Sequence, residues 1–290
     1  MSREHSRAGA FPALFVVLWS TGFIAAKYGL PYAPPLTFLL DRFAMVAALM
    51  LVVALVSGAR WPRDARVYGH LAIAGALVHG TYLGGVFVSL KHGMAAGTAS
   101  MLVGLQPLLT VLLARAWLHE RVISRQWLGL VLGLAGVWLV VRHKVSFEAD
   151  AHALVPIAVA LAGISVGTLY QKRFCARVDL RTGAVVQFAA CALLYLPLVL
   201  LLEGQGVHWT REFVFALAWS VLVLSVGAIS LLYWLLRHGA ASGVARLFYL
   251  VPPVTAAMAY AMFGERLDAL ALVGMAAIAG GVALARPDDA

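Results

Sequence analysis

Arg246 and Tyr249 stand three positions apart in an apolar run, so on a helix they share one face. A guanidinium in that setting is costly unless it meets a partner or water. It can receive a carboxylate or phosphate through paired N–H donors. Near the end of a span it can instead snorkel its head to the surface, and both readings stand for Arg246. His79 and Tyr82 repeat the spacing in another apolar stretch, with Thr81 and Ser89 nearby. They offer polar lining; His79 is a hydrogen-bonded core residue or a proton relay. Ser100 is the repeat-related position of Arg246, and Gln106 and Ser165 add further small polar groups. Trp19 and Tyr82 present faces on which an aromatic or apolar solute can stack. These groups bind rather than react. The chain has no Walker sequence, His/Glu zinc motif or Gly-x-Ser-x-Gly turn, and Cys175 and Cys191 form no metal or disulfide pattern. Neither a metal nor a cofactor is expected.

Other charges read as structural or gating groups. Asp41 and Arg42 open an apolar run after Pro34-Pro35. Neighbours on a helix point apart, so each is expected to pair with another helix. Glu120 and Glu265 stand beside Arg121 and Arg266 at equivalent loop positions. They suit helix starts, where acids are favoured, or ties between repeats. Pro107 after Gln106, and Pro252-Pro253 after Tyr249, remove backbone donors and free carbonyls to line a cavity.

The elements that carry these residues are set by composition. Of 290 residues 62% are hydrophobic and 12% charged, where a soluble domain carries about a quarter charged residues. The mean hydropathy is +0.89. A span takes about 20 apolar residues, and ten candidates follow at 11–27, 36–57, 67–90, 93–115, 125–141, 153–171, 182–202, 213–236, 241–264 and 269–286. The runs are continuous rather than alternating, which excludes a β-barrel. The basic excess, 22 Lys and Arg against 13 Asp and Glu, is explained by retention of cations on the cytoplasmic side and implies no nucleic-acid partner. Lys and Arg concentrate on the side of the N-terminus, which predicts both termini in the cytoplasm. Gly80/Gly84, Gly93/Gly97, Gly129/Gly133, Gly163/Gly167 and Gly239/Gly243 are spaced to let helices approach closely.

One pattern organises the chain. His92-Gly93-Met94-Ala95-Ala96-Gly97 returns as His238-Gly239-Ala240-Ala241-Ser242-Gly243, and the match runs on through Pro107 and Pro253 to Glu120-Arg121 and Glu265-Arg266. Gly129 and Gly136 match Gly274 and Gly281; Gly22, Lys27, Thr37 and Phe43 match Gly167, Lys172, Thr182 and Phe188. Five spans per half put the second half upside down relative to the first. The expected fold is an all-α membrane protein with ten transmembrane helices in two inverted five-helix repeats, residues 1–147 and 148–290. That plan recurs in secondary transporters with a central site.

The chain resembles the drug/metabolite transporter superfamily, in particular ten-helix members with two EamA-type halves. The resemblance rests on Trp19-Ser20-Thr21-Gly22-Phe23 with Lys27, Arg42 early in span 2, and Gly-x-x-x-Gly with a later Pro in spans 4 and 9. The Glu-Arg pairs and glycines of spans 5 and 10 complete it. It implies export of amino acids or related metabolites by alternating access through a central cavity between the repeats. The expected substrate is a neutral or aromatic amino acid; the expected partners are that solute and the lipid bilayer, with a monomer in a bacterial-type inner membrane. A sugar-nucleotide or other organic-anion carrier would call for more cavity-facing Lys and Arg than Arg246. A membrane enzyme or assembly protein would call for a catalytic cluster.

Overall fold

The computed structural model describes residues 2–118, 124–141, 151–204, 206–238, 247–265 and 269–284. Among them every regular element is helical. In chain order these are α1 (Ser2–Gly29), α2 (Pro35–Val56), α3 (Ala65–Gly75), a π-helical stretch (Ala76–Thr81), α4 (Tyr82–Lys91), α5 (Ala96–Val103), α6 (Gln106–Leu118) and α7 (Ser124–Val141). After these come α8 (Ala151–Phe174), α9 (Leu180–Leu202), α10 (Arg211–Ala218), a second π-helical stretch (Trp219–Ala228) and α11 (Ile229–His238). A 3₁₀ turn (Phe248–Leu250), α12 (Val251–Phe263) and α13 (Ala269–Leu284) complete the described chain. Seven helical stretches among the described residues are long and apolar enough to cross a membrane, three of them made of two successive α-helices joined end to end (65–91, 96–113 and 211–232); 248–263 and 269–284 are shorter apolar helices. Val56 and Leu201 keep 85% and 81% of their surface exposed. Side chains so apolar and so open suit a hydrocarbon surround.

The chain forms two compact units, Met1–Lys27 with Gly93–Ala151 and Ala218–Ala290, and Tyr28–His92 with His152–Leu217. Each unit draws on both halves of the sequence.

In the second unit α2 and α9 pack antiparallel, tied at both ends. Pro34 and Pro35 open α2 with the φ a first turn requires. The orphan N–H groups of Leu36 and Thr37 donate to the Glu203 carboxylate at 2.9 and 2.7 Å, and the Thr37 hydroxyl donates to it at 2.7 Å. At the other end Thr182 of α9 donates to the Arg60 carbonyl at 3.1 Å. Between these ties Phe43 packs on Phe188 and Tyr195, with ring centroids 6.0 and 5.2 Å apart. Glycines admit the neighbours: a Cβ on Gly75 would lie 2.7 Å from the Gln187 carbonyl oxygen, and one on Gly163 would lie 2.7 Å from Thr81 Cγ2.

Asp179 caps α9. Its carboxylate accepts from the Arg181 backbone N–H at 3.0 Å and from the guanidinium at 3.0 and 2.7 Å. The Arg181 side chain holds the Asp179 carboxyl down to about 2, against a smaller opposing effect of burial. A depressed carboxyl adds stability above its unfolded value and loses it as the pH falls through the folded one. Asp179→Ala is therefore expected to destabilise by about 1 kcal/mol at neutral pH. The deficit should shrink as thermal unfolding is followed from about pH 4 down to about pH 2.

In the first unit α7 runs against α13, meeting where neither helix carries a side chain. A Cβ on Gly136 would lie 2.6 Å from the Gly274 carbonyl oxygen, and one on Gly281 would run into that of Gly129. α5 packs on α12. The span expected at 93–115 is broken into α5 and α6 at Gly104 and Leu105, just ahead of Pro107. Phe15, Val16 and Leu235 form a buried cluster here, covered by Trp19, Leu231, Phe248 and Val254.

Candidate functional site

A buried cation is the starting point. Arg42 is the eighth residue of α2 and only 7% exposed. At 1.5 Å per residue it lies about 10 Å into the helix, deep for a head group that must reach water. Its electrostatic neighbours are Tyr82 and His79. Both stand on the helical stretch that α9 packs against, His79 within the π-helical turn and Tyr82 just beyond it. π-turns widen the backbone and occur often at functional sites. His79 Nε2 lies 3.1 Å from Gln187 Oε1, and the imidazole stacks on Phe188 with centroids 4.2 Å apart. With the amide oxygen as acceptor, Nε2 carries the proton and Nδ1 the lone pair. Tyr195 steadies the same turn, its hydroxyl donating to the Gly80 carbonyl at 2.8 Å.

Arg42, His79, Tyr82 and Gln187 thus form one polar group, with Phe188 stacked on His79 and packed on Phe43, which meets Tyr195 in turn. Its donors are a guanidinium fork, a phenol and an imidazole. Such a set suits a carboxylate- or hydroxyl-bearing solute and carries no nucleophile–base pair. Asp41 Oδ2 and Ser165 Oγ, also in this unit, are buried without a hydrogen-bond partner. Among the described residues no group of three or more His, Cys, Asp or Glu could hold a metal.

The remaining sequence candidates lie in the other unit. Trp19 packs edge-on against Phe248, centroids 5.1 Å apart, and tilted against Phe15 at 5.3 Å. Ser100 is buried and donates to the Gly97 carbonyl at 2.7 Å. Gln106 opens α6 beside the break in span 4. Tyr249 lies in the 3₁₀ turn and donates to the Val282 carbonyl at 3.0 Å. The break in span 4 meets the start of α12: a Cβ on Gly104 would lie 3.3 Å from Pro252 Cγ. Glu265 accepts from the N–H groups of Ala96 and Gly97 at 2.9 and 3.3 Å and forms an ion pair with Lys27. Arg246 and Glu120 lie outside the described residues.

The sequence reading missed Gln187 and Phe188 as site residues. A signal was available. Matching Thr37 to Thr182 and Phe43 to Phe188 sets Arg42 opposite Gln187, each the eighth residue of its helix. It also missed Glu203, whose role depends on the end of α9 reaching the start of α2.

Residues 8–142 and 153–286 each match the model of the EamA-like transporter family. The chain is similar to the uncharacterized transporter YvbV of Bacillus subtilis, 25% identical over 288 residues, covering 96% of this chain and 91% of that protein. It is 30% identical over 280 residues to a probable terminal-alkyne amino-acid exporter of Streptantibioticus cattleyicolor, covering 93% and 90% of the two chains. A probable amino-acid metabolite efflux pump of Salmonella typhimurium is 28% identical over 290 residues, covering 96% and 94%. A solved crystal structure shares the fold at 22% identity, with a TM-score of 0.67 over 97% of both chains.

Proposed function

Because the chain belongs to the EamA-like transporter family, we propose that it is a secondary carrier that exports small metabolites, neutral or aromatic amino acids first. It is a multi-pass membrane transporter and not an enzyme, as its family and relatives are. The finer reading has ten helices in two inverted halves, 1–147 and 148–290, working by alternating access through a central cavity between those halves. Both termini then lie in the cytoplasm and the protein acts as a monomer in an inner membrane. The observation that carries the reading is the match of both halves to one transporter family, together with polar groups buried inside apolar helices. Reciprocal packing of repeat-related positions supports the inverted halves: Gly129 meets Gly281, Gly136 meets Gly274, and Phe43 meets Phe188. Relatives described as amino-acid exporters support the substrate class.

An organic-anion carrier is the second reading, favoured by the buried guanidinium of Arg42. Counterflow in proteoliposomes separates the two. Vesicles preloaded with unlabelled neutral or aromatic amino acids should take up the labelled form several-fold faster than empty vesicles. Nucleotide sugars should not drive the exchange. Flux with nucleotide sugars alone would replace the first reading with the second, and no flux with any solute would sink both.

A further inference from the structure

We infer that Arg42 docks the carboxylate of the transported solute, and that Gln187 is a repeat-related position at which the same charge would serve. The inference rests on the carrier reading above and names what one site within it binds.

Three observations lead to it. Arg42 is buried deep in an apolar helix, where a cation is retained chiefly for function. Its surroundings are polar donors and aromatic faces: Tyr82, His79 and the stacked Phe188. A carboxylate entering there meets a planar fork that can hold both its oxygens. Phe43, packed on Phe188 and Tyr195, makes the flank of the group apolar. The third observation is His79 itself. It lies in the π-turn, hydrogen-bonded to Gln187 and within electrostatic reach of Arg42. One imidazole thus touches Gln187 and feels the charge of Arg42. A guanidinium moved to position 187 would donate to the His79 nitrogen that now faces the Gln187 oxygen, with the ring in its other tautomer.

The consequence is that this site recognises the acid end of its ligand. L-Phenylalanine and 3-phenylpropionate carry a carboxylate; phenylalaninamide keeps the ring and the ammonium but lacks the acid. Equilibrium binding of the three to purified full-length protein in detergent tests the inference. Wild type should bind the two acids at least tenfold more tightly than the amide. Arg42→Gln should weaken both acids at least tenfold, with the amide not weakened. The charge-exchanged variant R42Q/Q187R should return to within about threefold of wild type, a recovery that a merely structural arginine would not produce. Arg42→Lys keeps the charge and loses the fork, so it should fall between. Where Arg42→Gln does not fold, the lysine and exchanged variants decide. Wild type that ignores the acid group, R42Q that binds acids normally, or a folded exchange variant without recovery would each overturn the assignment. Acid binding without flux in proteoliposomes would instead overturn the carrier reading and leave the site standing.

Discussion

Gly281→Val is expected to cost about 3 kcal/mol, while Gly280→Ala next to it should be silent or slightly stabilising. The contrast follows from what each added group meets. At Gly281 a side chain runs into the Gly129 carbonyl and lies 2.7 Å from the Gly133 nitrogen. Backbone cannot rotate aside, so α7 and α13 must separate, at the upper end of the usual penalty for overpacking. At Gly280 the nearest atom is Leu132 Cδ2 at 3.4 Å, the far end of a flexible side chain. There alanine gains helix propensity, about 1 kcal/mol over glycine, with little to displace. Between helices in lipid there is no hydrophobic driving force to make good the loss, because association depends on close packing itself. Gly136→Val meets the Gly274 carbonyl and the Ile278 backbone and should behave like Gly281→Val. Together the two should cost less than their sum, since a pair already parted has less contact to lose. Thermal or denaturant unfolding in one detergent measures all four variants. Equal sensitivity at positions 280 and 281 would remove the close backbone approach.

The pairing of these glycines was legible in the sequence; their contact was not. Self-similarity marks Gly129 with Gly274 and Gly136 with Gly281, yet the structure sets Gly129 against Gly281 and Gly136 against Gly274. Only the packing of α7 along α13 turns a repeat into a crossing. The apolar runs were readable because the membrane demands long uninterrupted helices of any sequence that spans it. The break in span 4 was announced by Pro107, which cannot donate to the turn before it.

The candidate site was readable to the extent that polarity within an apolar run is conspicuous. His79, Tyr82 and Arg42 stand out on that ground, although beside Pro34-Pro35 the sequence reads Arg42 as a structural or gating charge. Depth and neighbours decide between a docking group and a snorkelling one, and those come from tertiary packing. Gln187 is uncharged and ordinary in a helix, so nothing local draws attention to it. Its interest comes from the residue it matches and the histidine it holds. The π-turns have no residue signature at all. They arise where α3 and α4, or α10 and α11, must continue as one span while accommodating an extra residue per turn.

Glu265→Ala is expected to cost about 3 kcal/mol, whereas Lys27→Met should cost about 1. An ordinary surface ion pair would make the two equivalent and small. Here the carboxylate has two tasks. It pairs with Lys27, and it accepts from the Ala96 and Gly97 N–H groups that open α5. The geometry behind this is local. α12 ends at Gly264, whose φ of +67° reverses the chain and delivers Glu265 to the start of α5. The Glu265 side chain is 10% exposed, so its loss leaves orphan donors with little water to satisfy them. Lys27 is 28% exposed and rests over the Phe263 ring. Removing it leaves the carboxylate still held by the α5 N-terminus, where negative charge is favoured. The double variant should therefore be no less stable than Glu265→Ala alone, a strongly non-additive cycle. Glu265→Gln should fall between, because an amide oxygen can still cap one N–H. Unfolding midpoints of the four variants in a single detergent give the cycle. Equal losses at Lys27 and Glu265 would mean that the carboxylate serves the ion pair and not the helix.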